Sequence, residues 1–87
     1  MNEEITYQKV EQLQHYEFGF LKTGSEVEVI AINHLSFHIR TIGYCHYIED
    51  AECILETCIR FGFKEKGMSF PGLPGYELAR EQAAVSV

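Results

Sequence analysis

The chain has 87 residues, 46% of them hydrophobic and 13% aromatic, with 13 acidic and 7 basic side chains for a formal net charge of −6. That length holds one domain around one small core and leaves no room for a second, while the apolar content excludes global disorder. The acidic balance and the lack of any Lys/Arg run argue against direct binding to DNA or RNA, since that affinity rests on cations neutralising phosphates.

No apolar run approaches the roughly 18–20 residues of a membrane-spanning helix. The opening Met1-Asn2-Glu3-Glu4 lacks the basic start of a secretory signal, and three cysteines, an odd count, suit a reducing compartment better than a disulfide framework. The expectation is a cytoplasmic protein with no membrane segment.

Taken in order, Glu3–Gln14 has helix-forming composition, and Ile5, Val10 and Leu13 can share one helical face, so a short N-terminal helix is expected there. From Tyr16 the pattern turns to period two. Tyr16, Phe18 and Phe20 alternate with Glu17, Gly19 and Leu21; Lys22-Thr23-Gly24-Ser25 reads as a turn. In Glu26–Ile32, Val27, Val29 and Ala31 share one parity, and Asn33-His34-Leu35 reads as a second turn. Ser36–Tyr44 then places Phe37, Ile39 and Thr41 on one side and His38, Arg40 and Ile42 on the other. A turn at Thr23-Gly24 opposes Phe18 to Val29, and a three-residue turn at 33–35 opposes Val29 to Ile39 and sets Glu28 beside Arg40. The pattern predicts a three-stranded antiparallel meander.

Asp50 is a plausible N-cap for a helix over about 50–62. Ala51, Ile54, Leu55, Cys58, Ile59 and Phe61 form its apolar stripe, and Gly62 ends it. The stripe packs on the Phe18/Val29/Ile39 face in this reading. Phe63–Phe70 suits either a fourth strand or a turn at Lys64–Gly67, and the dense Pro and Gly of Phe70–Tyr76 mark a loop. That loop serves either as a docking arm or as a segment crossing the surface. The fold class expected is therefore α+β. Residues 1–70 form a single domain, a three-stranded meander packed against one main helix. Residues 71–87 form a Pro/Gly loop and a partly flexible tail, although Glu77–Ala84 has helical composition.

The chemistry-bearing residues give weak motifs. Cys45, His46, Cys53 and Cys58 are soft metal ligands, but no C-x2-C or H-x3-H pair occurs. Cys53 and Cys58 would also point about 140° apart on a helix. His34, His38 and His46 share a strand parity, yet His34 and His38 would lie about 13 Å apart along it. Cys45 and His46, being adjacent on a strand, face opposite ways and make a poor thiolate pair. Glu26 and Glu28 read as solubilising carboxylates. No cofactor and no catalytic group is expected.

The outer face of the meander is unusual. It is expected to carry Leu21, Ile30, Ile32, Ile42 and Tyr44 among Glu17, Glu26, Glu28, His38 and Arg40. Apolar residues ringed by charge mark either an interaction surface or a face covered within the chain. The functional expectation is a small acidic, non-enzymatic module that binds another protein, as an inhibitor, antitoxin-like partner or adaptor, and forms a homodimer. Its partner-binding residues are expected to be Ile30, Ile32, His38, Arg40, Ile42 and Tyr44. The alternative is a metal- or ligand-binding domain or an enzyme subunit using His34, His38, Cys45 or His46.

Overall fold

The computed structural model describes residues 4–65 and 67–73. Its larger sheet has four antiparallel strands in the order β1 (Ile5–Leu13), β2 (Tyr16–Thr23), β3 (Glu26–Asn33) and β4 (His38–Cys45). Helix α1 (Ile48–Phe61) follows. Two short antiparallel strands, β5 (Phe63–Glu65) and β6 (Met68–Phe70), then form a separate sheet. The architecture is α+β, but the three-stranded meander expected from sequence is overturned by the fourth strand and the additional hairpin.

The additional strand of the larger sheet is β1, which replaces the expected N-terminal helix. It pairs with β2 from Ile5 opposite Thr23 to Leu13 opposite Tyr16. Its register shifts between Lys9 and Glu11, so Val10 sits in a β-bulge. A bulge changes the phase of the inward–outward alternation. Ile5 and Tyr7 therefore lie on the outer face and Leu13 on the inner, so β1 shows no period-two alternation, and Ile5, Val10 and Leu13 fall on the arc of a helical face instead. Within the ladder, the β-branched and aromatic run Ile5-Thr6-Tyr7 suits a pleated strand.

Gly24 and Ser25 close the next hairpin, so β2 opposes β3 with Phe18 on Ala31 and Phe20 on Val29. This is two residues from the expected register. A shift of two preserves every side chain's face, and the aromatic side survives intact.

The β3–β4 connection differs by an odd number, with larger consequences. Residues 34–37 form a four-residue turn, so Asn33 opposes His38, Ala31 opposes Arg40 and Ile32 opposes Ile39. The first half of β4 is thereby inverted relative to the sequence reading. His38 and Arg40 share the inner face with Ala31, and Ile39 and Thr41 point outward. A second bulge, where the register shifts between Val29 and Ile30, leaves Ile42 as the extra residue. It returns Gly43 and Cys45 to the inner face opposite Val29 and Val27, and Tyr44 to the outer face opposite Glu28.

Helix α1 begins two residues before the expected start. Tyr47, not Asp50, is the N-cap, without a side-chain capping bond; Glu49 and Asp50 lie in the first turn, where carboxylates favour the positive helix end. Ala51, Leu55, Cys58 and Ile59 are buried as the stripe implies, but Phe61 is exposed beneath the Arg60 guanidinium. Gly62 ends the helix at φ 83°, donating its N–H to the Cys58 carbonyl at 2.7 Å. A side chain there would run into the backbone of residues 70–72, so glycine is required twice over.

The core forms between this stripe and the inner sheet face. Phe18, Phe20, Val29, Ala31 and Ile59 are essentially inaccessible. The β5–β6 hairpin seals one end. Phe70 stands edge-on to Tyr16 and Phe18 with centroids 5.0 and 5.5 Å away, and the Tyr16 hydroxyl donates to the Ser69 carbonyl. Beyond it, the Leu73 N–H reaches the Ile59 carbonyl at 2.6 Å, so the start of the Pro/Gly loop is tied to the helix. Of the loop and tail expected over residues 71–87, the part beyond Leu73 lies outside the described residues, and so does the helical stretch expected within it. No helix among the described residues is long and apolar enough to cross a membrane.

Candidate partner-docking surface

Both α1 and the β5–β6 hairpin lie on the inner face. The outer face of the four-stranded sheet is built by the alternate residues of each strand. These are Ile5, Tyr7, Lys9 and Gln12 from β1, Glu17, Gly19, Leu21 and Thr23 from β2, Glu26, Glu28, Ile30 and Ile32 from β3, and Ile39, Thr41 and Tyr44 from β4.

On the β1–β2 half of this face Tyr7 lies over the middle of the sheet, while Ile5 near the strand end is 63% exposed. Tyr7 lies across Gly19 so closely that a Cβ added there would sit 2.5 Å from two ring carbons, Cε1 and Cζ. Glycine at this position is what lets the ring lie flat on the strand. Ile30, the cross-strand partner of Gly19, is buried although it points away from the core. The Tyr7 hydroxyl donates to Glu17 Oε2 at 2.7 Å, and His34 Nε2 lies 2.8 Å from Glu17 Oε1. Both carboxylate oxygens are thus engaged on a side chain only 13% exposed. The Tyr7 and then the His34 hydrogen bond hold the Glu17 carboxyl below its usual range, against the opposing effect of burial. Burial, with the adjacent Glu17 carboxylate, raises the Tyr7 phenol well above its ordinary value.

The β4 half lacks such a cover. Ile39 is 64% exposed and Tyr44 65%. The Thr41 hydroxyl donates to Glu28, which satisfies a polar pair between them. At the strand's leading end the 34–37 turn adds Leu35, 72% exposed, and Phe37, 84% exposed. This turn is held in shape. The buried Asn33 accepts the N–H groups of Leu35 and Ser36 on its Oδ1 at 2.9 and 3.2 Å, and the His34 N–H donates to the His15 carbonyl at 2.9 Å. Phe37 sits at φ 60°, a left-handed conformation unusual for a bulky residue and costing roughly 1–2 kcal/mol. The turn therefore holds two large apolar side chains in solvent in a fixed geometry.

The expected partner-binding residues divide between the two faces. Ile30, Ile32 and Tyr44 are on the outer face, as the sequence indicates. His38, Arg40 and Ile42 are on the inner face: His38 stacks over Gly67, Arg40 lies 3.7 Å from Glu65, and Ile42 packs against the core. The expected Glu28–Arg40 pair is replaced by Glu28–Thr41 on one side and Arg40–Glu65 on the other. Sequence reading missed Tyr7, Leu35, Phe37 and Ile39 as surface residues. Asn33 was a usable signal, because an Asx turn there lengthens the loop and starts the strand at His38, two residues after the expected Ser36.

The His and Cys residues behind the metal- or ligand-binding alternative have separate surroundings. His34 meets Glu17, His38 meets Gly67, and His46 Nδ1 lies 3.2 Å from the Ser25 carbonyl. The Cys45 thiol points at the carbonyls of Val27 and Tyr47. Among the described residues no three His, Cys, Asp or Glu side chains converge on one point. A shallow open groove of about 400 Å³ runs along the helix, with Ile42, Cys53, Thr57, Cys58 and Phe63 on its walls. Burial pushes the Cys58 thiol up to about 12, so it lines this groove as a neutral, apolar group. No protein-family model, curated protein or solved structure matches the chain.

Proposed function

We propose that this protein is a small acidic, non-enzymatic interaction module that docks onto another protein, as an inhibitor, antitoxin-like partner or adaptor does. The observation that supports this is the concentration of exposed large apolar side chains at Leu35, Phe37, Ile39 and Tyr44, on β4 and the rigid turn leading into it. Burying such residues against a partner releases about 25 cal/mol per Å² of apolar surface. A pre-shaped turn also lowers the ordering cost of association. Aromatic anchors set among polar groups are the usual make-up of the energetic centre of an interface.

The test is a comparative affinity capture from host-cell extract, using the full chain and its Phe37→Asp and Ile39→Asp variants at matched folded concentration. One protein retained in stoichiometric amount by the parent and lost by both variants is the expected result. Identical retention profiles for all three overturn this surface as the docking site.

A further inference from the structure

We infer that the partner seated on this surface is basic: a protein segment whose apolar side chains meet Leu35, Phe37 and Ile39 and whose lysine or arginine side chains meet the Tyr44 end of the strip. The inference deepens the docking proposal above and rests on it.

The two ends of the strip differ in charge. At the turn end the charged groups are satisfied within the chain. His34 lies 2.8 Å from Glu17, and Arg40 lies 3.7 Å from Glu65 on the inner face. What this end offers to a partner is apolar, in the exposed side chains of Leu35 and Phe37.

At the other end the carboxylates have no cation of their own. Tyr44 stands opposite Glu28, and Glu26 follows on the same face of β3. Glu49 and Asp50, both exposed, open α1 just after the exposed Tyr47. Glu28 accepts the Thr41 hydroxyl, and among the described residues none of these four carboxylates is in an ion pair. The basic groups of this part of the sheet are directed elsewhere. Lys22 leaves β2 on the inner face opposite Val27, Lys9 donates to Gln12 within β1, and His46 meets the Ser25 carbonyl.

Charge complementarity then selects the partner. Carboxylates without a counter-charge repel an acidic surface and favour a cation, in keeping with the net charge of −6 on the chain. A lysine or arginine set over the exposed Tyr44 ring also gains from the negative face of that ring, and Tyr47 offers a second ring nearby in the chain. The length suits one short segment. From Phe37 to Tyr44 the strand runs about 20 Å, at about 3.3 Å per residue with one residue lost to the bulge, which is the length of a helix of about 14 residues.

The experiment uses synthetic amphipathic peptides of about 14 residues that share one leucine and tryptophan stripe. Their polar positions carry lysine clustered toward one end, glutamate at the same places, or glutamine. Each is titrated into the isotope-labelled full chain and followed by amide shifts in NMR spectra, with every protein variant checked for unchanged circular dichroism. The lysine peptide is expected to bind at least about tenfold more tightly than the glutamate peptide and to shift Leu35, Phe37, Ile39 and Tyr44. A nitroxide on its lysine end should broaden Glu28 and Tyr44 before Leu35 and Phe37. Glu26→Gln combined with Glu28→Gln should weaken it about fivefold. Raising the salt from about 0.1 M to about 1 M should weaken it as well, since the screening length falls from about 10 Å to about 3 Å. Glu52→Gln, the same loss of charge on the exposed side of α1, should change little. Phe37→Asp should weaken it too, although a merely electrostatic contact would gain from the added carboxylate. Equal affinities for the lysine and glutamate peptides, or a lysine peptide that leaves the strip unshifted up to about 1 mM, overturn the basic partner but leave docking of a different protein to the capture experiment above. Shifts at the same residues on concentrating the chain alone identify a second copy as the occupant and overturn it also.

Discussion

Gly19 and Tyr7 allow a sign-reversal test of how the outer face is covered. Gly19→Ala places a carbon 2.5 Å from Tyr7 Cε1 and Cζ, whereas non-bonded carbons settle about 3.5–4.0 Å apart. The ring must withdraw by about 1 Å or more, and its hydroxyl then leaves Glu17. A hydrogen bond to a charged acceptor contributes about 1.5–3 kcal/mol, and the lower end applies to a tyrosine that is partly exposed. Against this, Ala restricts the unfolded chain and stabilises by about 0.4–1 kcal/mol where the backbone accepts it. The net expectation is a loss of about 0.5–1.5 kcal/mol. In a Tyr7→Ala background neither the clash nor the hydrogen bond exists, so the same substitution should stabilise by about 0.4–1 kcal/mol. Urea unfolding of the four proteins in this cycle, compared at constant m, gives the coupling, expected at about 1–2.5 kcal/mol. An equal cost in both backgrounds would show that the obstacle at Gly19 is not the Tyr7 ring.

Three further outcomes follow from the packing and the titrating groups. Phe18→Ala empties the centre of the core at a fully buried site and should cost about 3–5 kcal/mol, read from the same unfolding curves; a loss below about 1 kcal/mol would mean that the aromatic cluster is not the core. The folded Glu17 carboxyl lies below its unfolded value, so its stabilisation is full above about pH 4.5 and is lost as pH falls below that, through the depressed folded value. Glu17→Gln should accordingly flatten the acid limb of the stability–pH profile, and an unchanged acid limb would refute the Tyr7–Glu17–His34 arrangement. Cys58, buried and held neutral, should resist a thiol reagent at about pH 8 until the chain is unfolded, whereas exposed Cys53 labels at once; mass spectrometry of the labelled peptides checks the order.

The parts of the fold legible in the sequence were those where alternation ran unbroken. β2 and β3 pair without a bulge, so Phe18, Phe20, Val29 and Ala31 could be placed on one face even with the hairpin register two residues off. The helix stripe at Ala51, Leu55, Cys58 and Ile59 was equally clear, since its period is regular and Gly62 closes it. What failed was phase. The bulge at Val10 put Ile5 and Leu13 on opposite faces, so β1 showed no alternation by which to read it as a strand. The turn of four residues at 34–37, in place of three, inverted His38–Thr41, and the bulge at Ile42 then corrected the error from Gly43 onward. Each is a one-residue event, and neither composition nor hydropathy fixes a one-residue event. Half of the expected docking residues crossed to the inner face for this reason alone. Tyr44, beyond the second bulge, did not.

The same bulges explain why the two halves of the outer face behave differently. Among the described residues there is one helix, and it covers only the inner side of the sheet. The outer side must be covered by its own side chains or by something else. On β1, the stretch before the bulge carries Tyr7 to the position opposite Leu21, diagonal to Gly19, where a long ring can lie across a residue without a side chain. Ile30 is buried as a result. On β4, the four-residue turn and the bulge together turn Ile39 and Tyr44 outward at the open edge, with only Thr41 between them on that face and no outward-facing glycine beside them to receive a ring. Their exposure is thus a consequence of register, in the edge strand whose one permanent charge, Arg40, is turned inward. Among the described residues nothing covers that strip, and this is the ground for proposing β4 as the docking surface.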